Sequence, residues 1–366
     1  MYLVEKKQIF PGISMVLFVS SIQFSISFIY TNSNSTMSGI AYCGIDFGVD
    51  CCTVAVCNDA FPTKYDGPSE DAPLPLVTRP TPLVIVNELG HRSTPTWIQC
   101  PQNDTDGFVV GATARDQSQR CEKRTVSAIK LALGHSPSDA TMQSAIQSNV
   151  WTCSITEGEK KSVTFETHEP RAQDVETTRR TFSAQELATS VLKQLASDAS
   201  SVSGRDVQGC VLSVAPNATK EENEAMVEAA KQAGFDEIAM LRSDVAVALA
   251  YGFDKQSIAE EADTEEEASA SAEGETKGET KGVEMEEEEE EEEEEEAVAA
   301  IINSPIQRIL VLDVGARSCT ASILLCSDGL FQAVHTVTQE GVGGWYIDEA
   351  LVSFCAKEFN RTSKTT

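Results

Sequence analysis

Ala41-Tyr42-Cys43-Gly44-Ile45-Asp46-Phe47-Gly48 and, far along the chain, Ile309-Leu310-Val311-Leu312-Asp313-Val314-Gly315 share one plan: an apolar run, an aspartate at its end, one more apolar residue, then glycine. Each reads as a strand that closes in a tight turn, since glycine admits backbone geometry that other residues avoid. Ala41–Asp46 leads through Phe47-Gly48-Val49-Asp50-Cys51 to a second apolar run, Cys52–Cys57, which predicts a β-hairpin. Ile309–Asp313 leads to Ala321–Cys326 and Leu330–Val337, the latter two flanking Ser327-Asp328-Gly329, which predicts a three-stranded meander. A single Asp-x-Gly turn after a strand is most often only a turn. Two in matching contexts can face one another and cradle phosphates, because glycine lets backbone N–H groups approach while the carboxylates hold a hydrated Mg²⁺ at a distance.

Between these units the pattern is that of a sheet with crossover helices. Pro82–Asn87 and Thr96–Cys100, joined through Glu88-Leu89-Gly90-His91, read as another hairpin. From Phe108 the chain passes through Gly111 into an amphipathic region that reaches Leu133-Gly134, where glycine should stop a helix. Ser183-Ala184-Gln185-Glu186 fits a capping box, and Leu187, Val191, Leu192 and Leu195 fall on one helical face behind it. Strand Gly209–Val214 follows. Thr219 and Glu222 repeat the cap ahead of Met226, Val227 and Ala230, with Gly234 as the stop; Ile238–Leu241 reads as a strand and Ala246–Tyr251 as a helix closed by Gly252. Gly343-Gly344 then opens a helix from Ile347 to about Phe359. The alternation of strand and helix makes the fold class α/β.

The 366 residues, 41% of them hydrophobic, suffice for one large domain or two lobes with real cores. The net charge is −29, but residues 255–300 hold 21 Asp/Glu and 3 Lys, a local −18, which leaves −11 for the rest. That segment, with eleven consecutive glutamates at Glu286–Glu296, has nothing a core could bury and reads as a solvated insertion. An acidic body with no basic groove repels phosphate backbones, which excludes direct nucleic-acid binding as a leading function. The eleven cysteines show no C-x-x-C or other metal-ligand spacing and sit mostly in apolar runs, as buried thiols of a reducing compartment do. At the N-terminus, Lys6 and Lys7 precede an apolar stretch, Ile9 to Tyr30, that resembles a signal or anchor but is broken by Pro11, Gly12 and several Ser and Gln; as a membrane span it is mediocre. Met37, just before the first recognisable strand, is the favoured start, which places the protein in the cytoplasm; a real signal over 1–36 would instead place it in the endoplasmic reticulum lumen.

Six segments, in order, resemble those of the Hsp70 nucleotide-binding domain. Gly44-Ile45-Asp46-Phe47-Gly48 resembles its first phosphate loop, and Glu88-Leu89-Gly90-His91-Arg92-Ser93-Thr94-Pro95 its G-x-R-x-T-P hairpin. Val110-Gly111-Ala112-Thr113-Ala114-Arg115 is similar to the segment that carries the family's catalytic lysine, and Ala248-Leu249-Ala250-Tyr251-Gly252 to its AxAYG helix end. Asp313-Val314-Gly315 resembles the second phosphate loop, and Val342-Gly343-Gly344 with Asp348 the LGGxxFD that follows it. The resemblance implies an actin-like ATPase (ribonuclease H-like) fold of two lobes, incomplete at the C-terminus. It also implies ATP and Mg²⁺ as ligands. Carried over residue by residue, the nucleotide would be held by Gly48, Val49, Asp50, Gly315, Ala316, Ser318, Gly343 and Gly344, the metal, through water, by Asp46 and Asp313, and the catalytic group would be Arg115 in place of lysine, with Asp46 and Asp313.

Departures from the family pattern are as informative. Arg115 keeps a positive charge but presents a wide planar fork instead of a compact ammonium. Val49 replaces a threonine, Ala316 and Arg317 replace loop glycines, Ser318 replaces a threonine, Thr320 an acidic residue, and Ser243 a water-organising glutamate. Phosphoryl transfer rests on positioning and charge stabilisation, so several such losses argue against efficient hydrolysis. Together with Lys130-Leu131-Ala132-Leu133-Gly134-His135-Ser136-Pro137-Ser138-Asp139, this pattern resembles the atypical Hsp70s of the ribosome-associated complex. The resemblance then implies a chaperone or co-chaperone subunit with weak hydrolysis, partnered by a J-domain protein, with the ribosome and nascent chains as further partners. An ordinary Hsp70 ATPase and a truncated remnant that binds no nucleotide stay open as alternatives. The expected organisation is an apolar leader over 1–36, the first lobe and start of the second over 37–254, the acidic insertion over 255–305, and the continuation of the second lobe over 306–366.

Overall fold

The computed structural model describes residues 6–10, 13–19, 41–57, 82–168, 179–253, 306–327 and 329–363. The acidic insertion and most of the expected leader lie outside the described residues. Strands β1 (Lys6–Phe10), β2 (Ile13–Val19), β3 (Ala41–Phe47) and β4 (Cys51–Cys57) come first, then β5 (Pro82–Val84), β6 (Thr94–Pro95), β7 (Trp97–Gln99) and β8 (Val109–Val110). Helix α1 (Ala112–Gln117), β9 (Thr125–Ser127), α2 (Ala140–Gln147), β10 (Ser154–Glu157), β11 (Val163–His168) and β12 (Arg179–Ser183) complete the flank of the first lobe. Then follow α3 (Ala184–Ser203), β13 (Val207–Val214), α4 (Lys220–Ala233), β14 (Glu237–Arg242) and α5 (Ser243–Ala250). The chain closes with β15 (Gln307–Val314), β16 (Ser318–Ser327), β17 (Leu330–Glu340) and α6 (Gly344–Ser363).

Two sheets organise the molecule. The first runs β14-β13-β3-β4-β5, with β6 also on β4; β13 is parallel to both β14 and β3, whereas β4 is antiparallel to its neighbours. The second runs β1-β2-β15-β16-β17, with β2 parallel to β15 and the remaining pairs antiparallel. The pattern is the same in both: an aspartate-tipped strand has a parallel partner on one side and its own hairpin strand on the other. Part of the stretch read from sequence as a leader, Ile13–Val19, is that parallel partner in the second sheet. Among the described residues no helix is long and apolar enough to cross a membrane.

Local chemistry sets the crossover helices. Ser183 accepts from the Glu186 backbone while Glu186 reaches back to the Ser183 backbone, and Thr219 and Glu222 do the same, so both expected capping boxes form. Removal of one such cap costs about 1 kcal/mol. α3 buries Leu187, Val191, Leu192 and Leu195 against Cys43, Ile45 and Leu212 of the sheet. Gly204 and Gly234 end α3 and α4 in the left-handed region, φ 65° and 106°. In the second lobe a smaller core gathers Ala246, Val247, Phe253, Ile309, Val311 and Leu324. At the junction, Arg242 pairs with buried Asp244 at 2.7 Å and donates to Thr336 of β17 at 3.2 Å, which ties the start of α5 to the second sheet.

Two expectations need correction. Pro82–Asn87 and Thr96–Cys100 do not form a hairpin with each other. β5 and β6 both pair with β4, while β7 pairs with β8 and β9 in a separate small sheet. The turn between them is real: Asn87 Oδ1 accepts from the N–H groups of Leu89 and His91, and it redirects the chain along β4. The helix expected to run to Gly134 stops at Gln117. Thr125 and Val126, both β-branched, are taken as a strand by β7, and the sheet bonds outweigh a weak helical pattern.

The expectation of buried thiols holds for part of the set, since Cys355 is exposed and Cys51, Cys121 and Cys319 are only partly buried. Cys43, Cys100, Cys153 and Cys210 are buried and unbridged, and burial pushes the Cys52 thiol up to about 12 and that of Cys153 up to about 11. Thiols held this far from ionisation are poor nucleophiles and poor metal ligands.

Candidate functional site

The two Asp-x-Gly turns are built alike. In the first hairpin Asp46 lies opposite Thr53 and Phe47 opposite Cys52; in the second Asp313 lies opposite Thr320 and Val314 opposite Cys319. The Gly48 N–H bonds the Cys51 carbonyl at 3.1 Å and the Gly315 N–H bonds the Ser318 carbonyl at 2.9 Å. A Cβ on Gly48 would collide with that Cys51 carbonyl, so only glycine closes the first turn. The first turn is also clamped from outside: Thr96 donates from its hydroxyl to the Gly48 carbonyl and from its backbone to the Asp50 carbonyl.

The second turn is buttressed by the segment that opens α6. Gly341, Gly344 and Trp345 donate backbone bonds of 2.9–3.1 Å to the carbonyls of Arg317, Gly315 and Ala316. A Cβ on Gly343 would come within 2.5–2.7 Å of the Ala316 and Gly315 carbonyls. Close backbone approach is what glycine permits here. Arg317 spreads its guanidinium over Trp345, 5.0 Å from the ring centroid, and donates to the Tyr346 hydroxyl at 3.3 Å.

Both turns line one cleft of about 210 Å³, which brings together Asp46, Gly48, Val49 and Asp50 from the first lobe and Asp313, Gly315, Ala316 and Ser318 from the second. Ser213 of β13 donates to Asp46 at 2.6 Å. Burial pushes the Asp313 carboxyl up to about 6, and the charges of Asp46 and Asp244 add to the rise while the Lys130 ammonium opposes it. Two carboxylates that repel across a partly closed gap are an arrangement a divalent cation relieves. Among the described residues no group of three ligands could hold a metal unaided. Mg²⁺ does not need such a cage, since it keeps several waters and takes one or two carboxylates plus substrate phosphates, and Asp46 with Asp313 fit that mode.

Of the residues expected from sequence, Gly343 and Gly344 do not line the cleft; they stand behind the second turn and shape it. Arg115 does not line it either. It lies on α1, about half exposed, with its guanidinium 3.6 Å from the Asp116 carboxylate. Ser243 and Thr320 do line the cleft, and both are uncharged.

Lys130, Ser213, Asn217 and Glu340 also line the cleft and were not expected there. Lys130 had a sequence signal: it is the single charge in the apolar run Ala128-Ile129-Lys130-Leu131-Ala132-Leu133, where a lysine needs a polar outlet. Ser213 could not be singled out, because its role depends on β13 lying beside β3. The cleft continues into a second cavity of about 160 Å³, walled by His135, Glu222 and Met226. There His135 bridges Asp139 at 3.2 Å and Glu222 at 2.9 Å.

Comparison with known proteins identifies the family. The Hsp70 protein family matches residues 72–366. Heat shock 70-related protein 5 of Dictyostelium discoideum is 24% identical over 276 residues, 75% of this chain and 44% of that protein. Heat shock 70 kDa protein 14 of Homo sapiens is 23% identical over 283 residues, 77% of this chain and 44% of that protein. Heat shock 70 kDa protein 14-B of Xenopus laevis is 24% identical over 282 residues, with the same coverage. The chain thus matches less than half the length of these relatives.

Proposed function

This chain belongs to the Hsp70 family and has its actin-like ATPase fold, and from that premise we propose that it binds ATP with Mg²⁺ between the two turns and hydrolyses it slowly, as a chaperone or co-chaperone subunit. The observation that carries the reading is the single cleft shared by the Asp46–Asp50 and Asp313–Ser318 turns. When bound, Mg²⁺ would neutralise phosphate charge there, with Asp46 and Asp313 as its protein partners through water. The Gly343 buttress keeps the second turn in place.

Slow hydrolysis follows from what the wall lacks. Arg115 stands outside the cleft, Val49 has no hydroxyl, and Ser243 has no carboxylate to orient a water. Each missing positioned group commonly costs orders of magnitude in rate. The protein thereby suits a role in which nucleotide sets a conformation and turnover is secondary. A J-domain protein is the proposed partner, the cytosol the proposed compartment, and nascent chains at the ribosome the proposed clients.

Steady-state hydrolysis of ATP by the full chain tests this reading. Turnover far below that of an ordinary Hsp70, and unaffected by Arg115→Ala, is the expected result. Turnover comparable with an ordinary Hsp70, and lost in Arg115→Ala, would establish instead the ordinary ATPase in which Arg115 still positions water.

A further inference from the structure

We propose that Lys130, not Arg115, is the first-lobe cation that contacts the polyphosphate in this protein; the assignment rests on the nucleotide reading above.

Position is the first argument. Lys130 lines the cleft together with Asp46 and Asp313, and it also lines the adjoining cavity, so it stands on their shared wall. Arg115 lines neither. Charge is the second. The cleft presents Asp46, Asp50, Asp313 and Glu340, against which the bases in its wall are Lys130 from the first lobe and Arg317 from the second. A trianionic or tetra-anionic ligand entering beside four carboxylates needs cations on the wall besides its metal. The Lys130 ammonium is compact, with rotatable donors on a flexible stem, and can meet a phosphate that enters beside it.

Rigidity is the third. The helical turn that carries Lys130, Ile129–Leu131, is entered through Ala128, a buried residue held at φ 52°, ψ 35°, a left-handed conformation that favours glycine. The turn is pinned on its N-terminal side where the Trp151 indole donates to the Ser127 carbonyl at 2.6 Å, and beneath by Ile129, which has no exposed surface. On its C-terminal side Gly134, at φ 80°, packs against the Glu222 backbone, and His135 bridges Asp139 and Glu222. Strained backbone clusters at ligand-binding sites, in keeping with a turn that presents Lys130 to the cleft. Across the cleft, Arg317 is fixed by Trp345, which itself packs on the first-lobe core. One cation from each lobe therefore borders the gap.

The test is calorimetry on the full chain with ATP and, separately, with inorganic tripolyphosphate, each with Mg²⁺. Lys130→Gln should weaken binding of both ligands tenfold or more, Lys130→Arg should retain affinity within about threefold of the wild type, and Arg115→Gln should stay within twofold. Thermal melting of Lys130→Gln near the wild-type midpoint would show that the loss is one of contact and not of folding. If the wild type binds both ligands and Lys130→Gln binds them equally well, the Lys130 assignment fails while the nucleotide reading stands. If the wild type binds neither ligand, the nucleotide reading itself fails and the assignment with it.

Discussion

Ser213 Oγ donates a 2.6 Å hydrogen bond to Asp46 Oδ1, and so joins the ends of two parallel neighbouring strands, β13 and β3, at the mouth of the cleft. Ser213 is itself buried, whereas Asp46 is partly exposed to the cleft, so the bond holds the carboxylate from the protein side. A turn residue is thus aimed by a strand that lies far away in sequence and reaches it through α3.

Ser213→Ala should cost about 1.5–3 kcal/mol of stability, the range for a hydrogen bond to a charged group, and should weaken Mg²⁺-dependent ATP binding several-fold. Urea unfolding of wild type and variant, with and without Mg²⁺ and ATP, measures both effects. Unchanged stability together with unchanged affinity would mean that Asp46 is aimed by something else.

Gly343→Ala places a methyl group against two backbone carbonyls that cannot swing aside. The second turn must shift, with a loss of about 1–3 kcal/mol and of at least tenfold in ATP affinity. Gly344→Ala is the control, because nothing lies within 4 Å of a Cβ there, and its stability should not fall. Thermal unfolding and nucleotide titration of the two variants should separate them clearly.

The His135 bridge should make stability depend on pH in a definite direction. Hydrogen bonding to Glu222 and then to Asp139 raises the His135 pKa above the ordinary 6.5, although burial opposes it. Its contribution is therefore complete below about pH 6.5 and fades as pH rises through the folded-state value. His135 in turn holds Glu222 below 4.5, so that contribution is present above this pH and is lost as pH falls through the lowered value. The tie is strongest between about pH 4.5 and 6.5. Melting curves should show a larger gap between wild type and His135→Ala near pH 5.5 than at pH 8.5; an equal gap at both would contradict the account.

Much of this molecule could be read from local sequence. Ser183 and Thr219 announced α3 and α4 because a cap and its partner lie within one turn of each other, and Gly48 and Gly315 announced their turns because the constraint is carried by one residue. What could not be read depends on neighbours distant in sequence. β5 and β7 looked like one hairpin because their separation suits it, yet the edge of β4 claimed β5 and the small sheet claimed β7. Arg115 sits in the right motif, but where its side chain points is decided by Asp116 and by how α1 packs, neither of which the motif states. Lys130 lay in plain sight as a charge among apolar residues, and only the fold reveals that its outlet is the cleft. Nor does an apolar N-terminal stretch disclose that Ile13–Val19 runs beside β15.

A double-mutant cycle between Asp46→Asn and Asp313→Asn, read as the affinity of the full chain for ATP with Mg²⁺ by calorimetry, tests most directly whether the two turns grip one ligand. The expected result is measurable binding by the wild type and a coupling energy between the two substitutions of about 1 kcal/mol or more, as for residues that share one partner. Strictly additive losses, or no binding by the wild type, would contradict it.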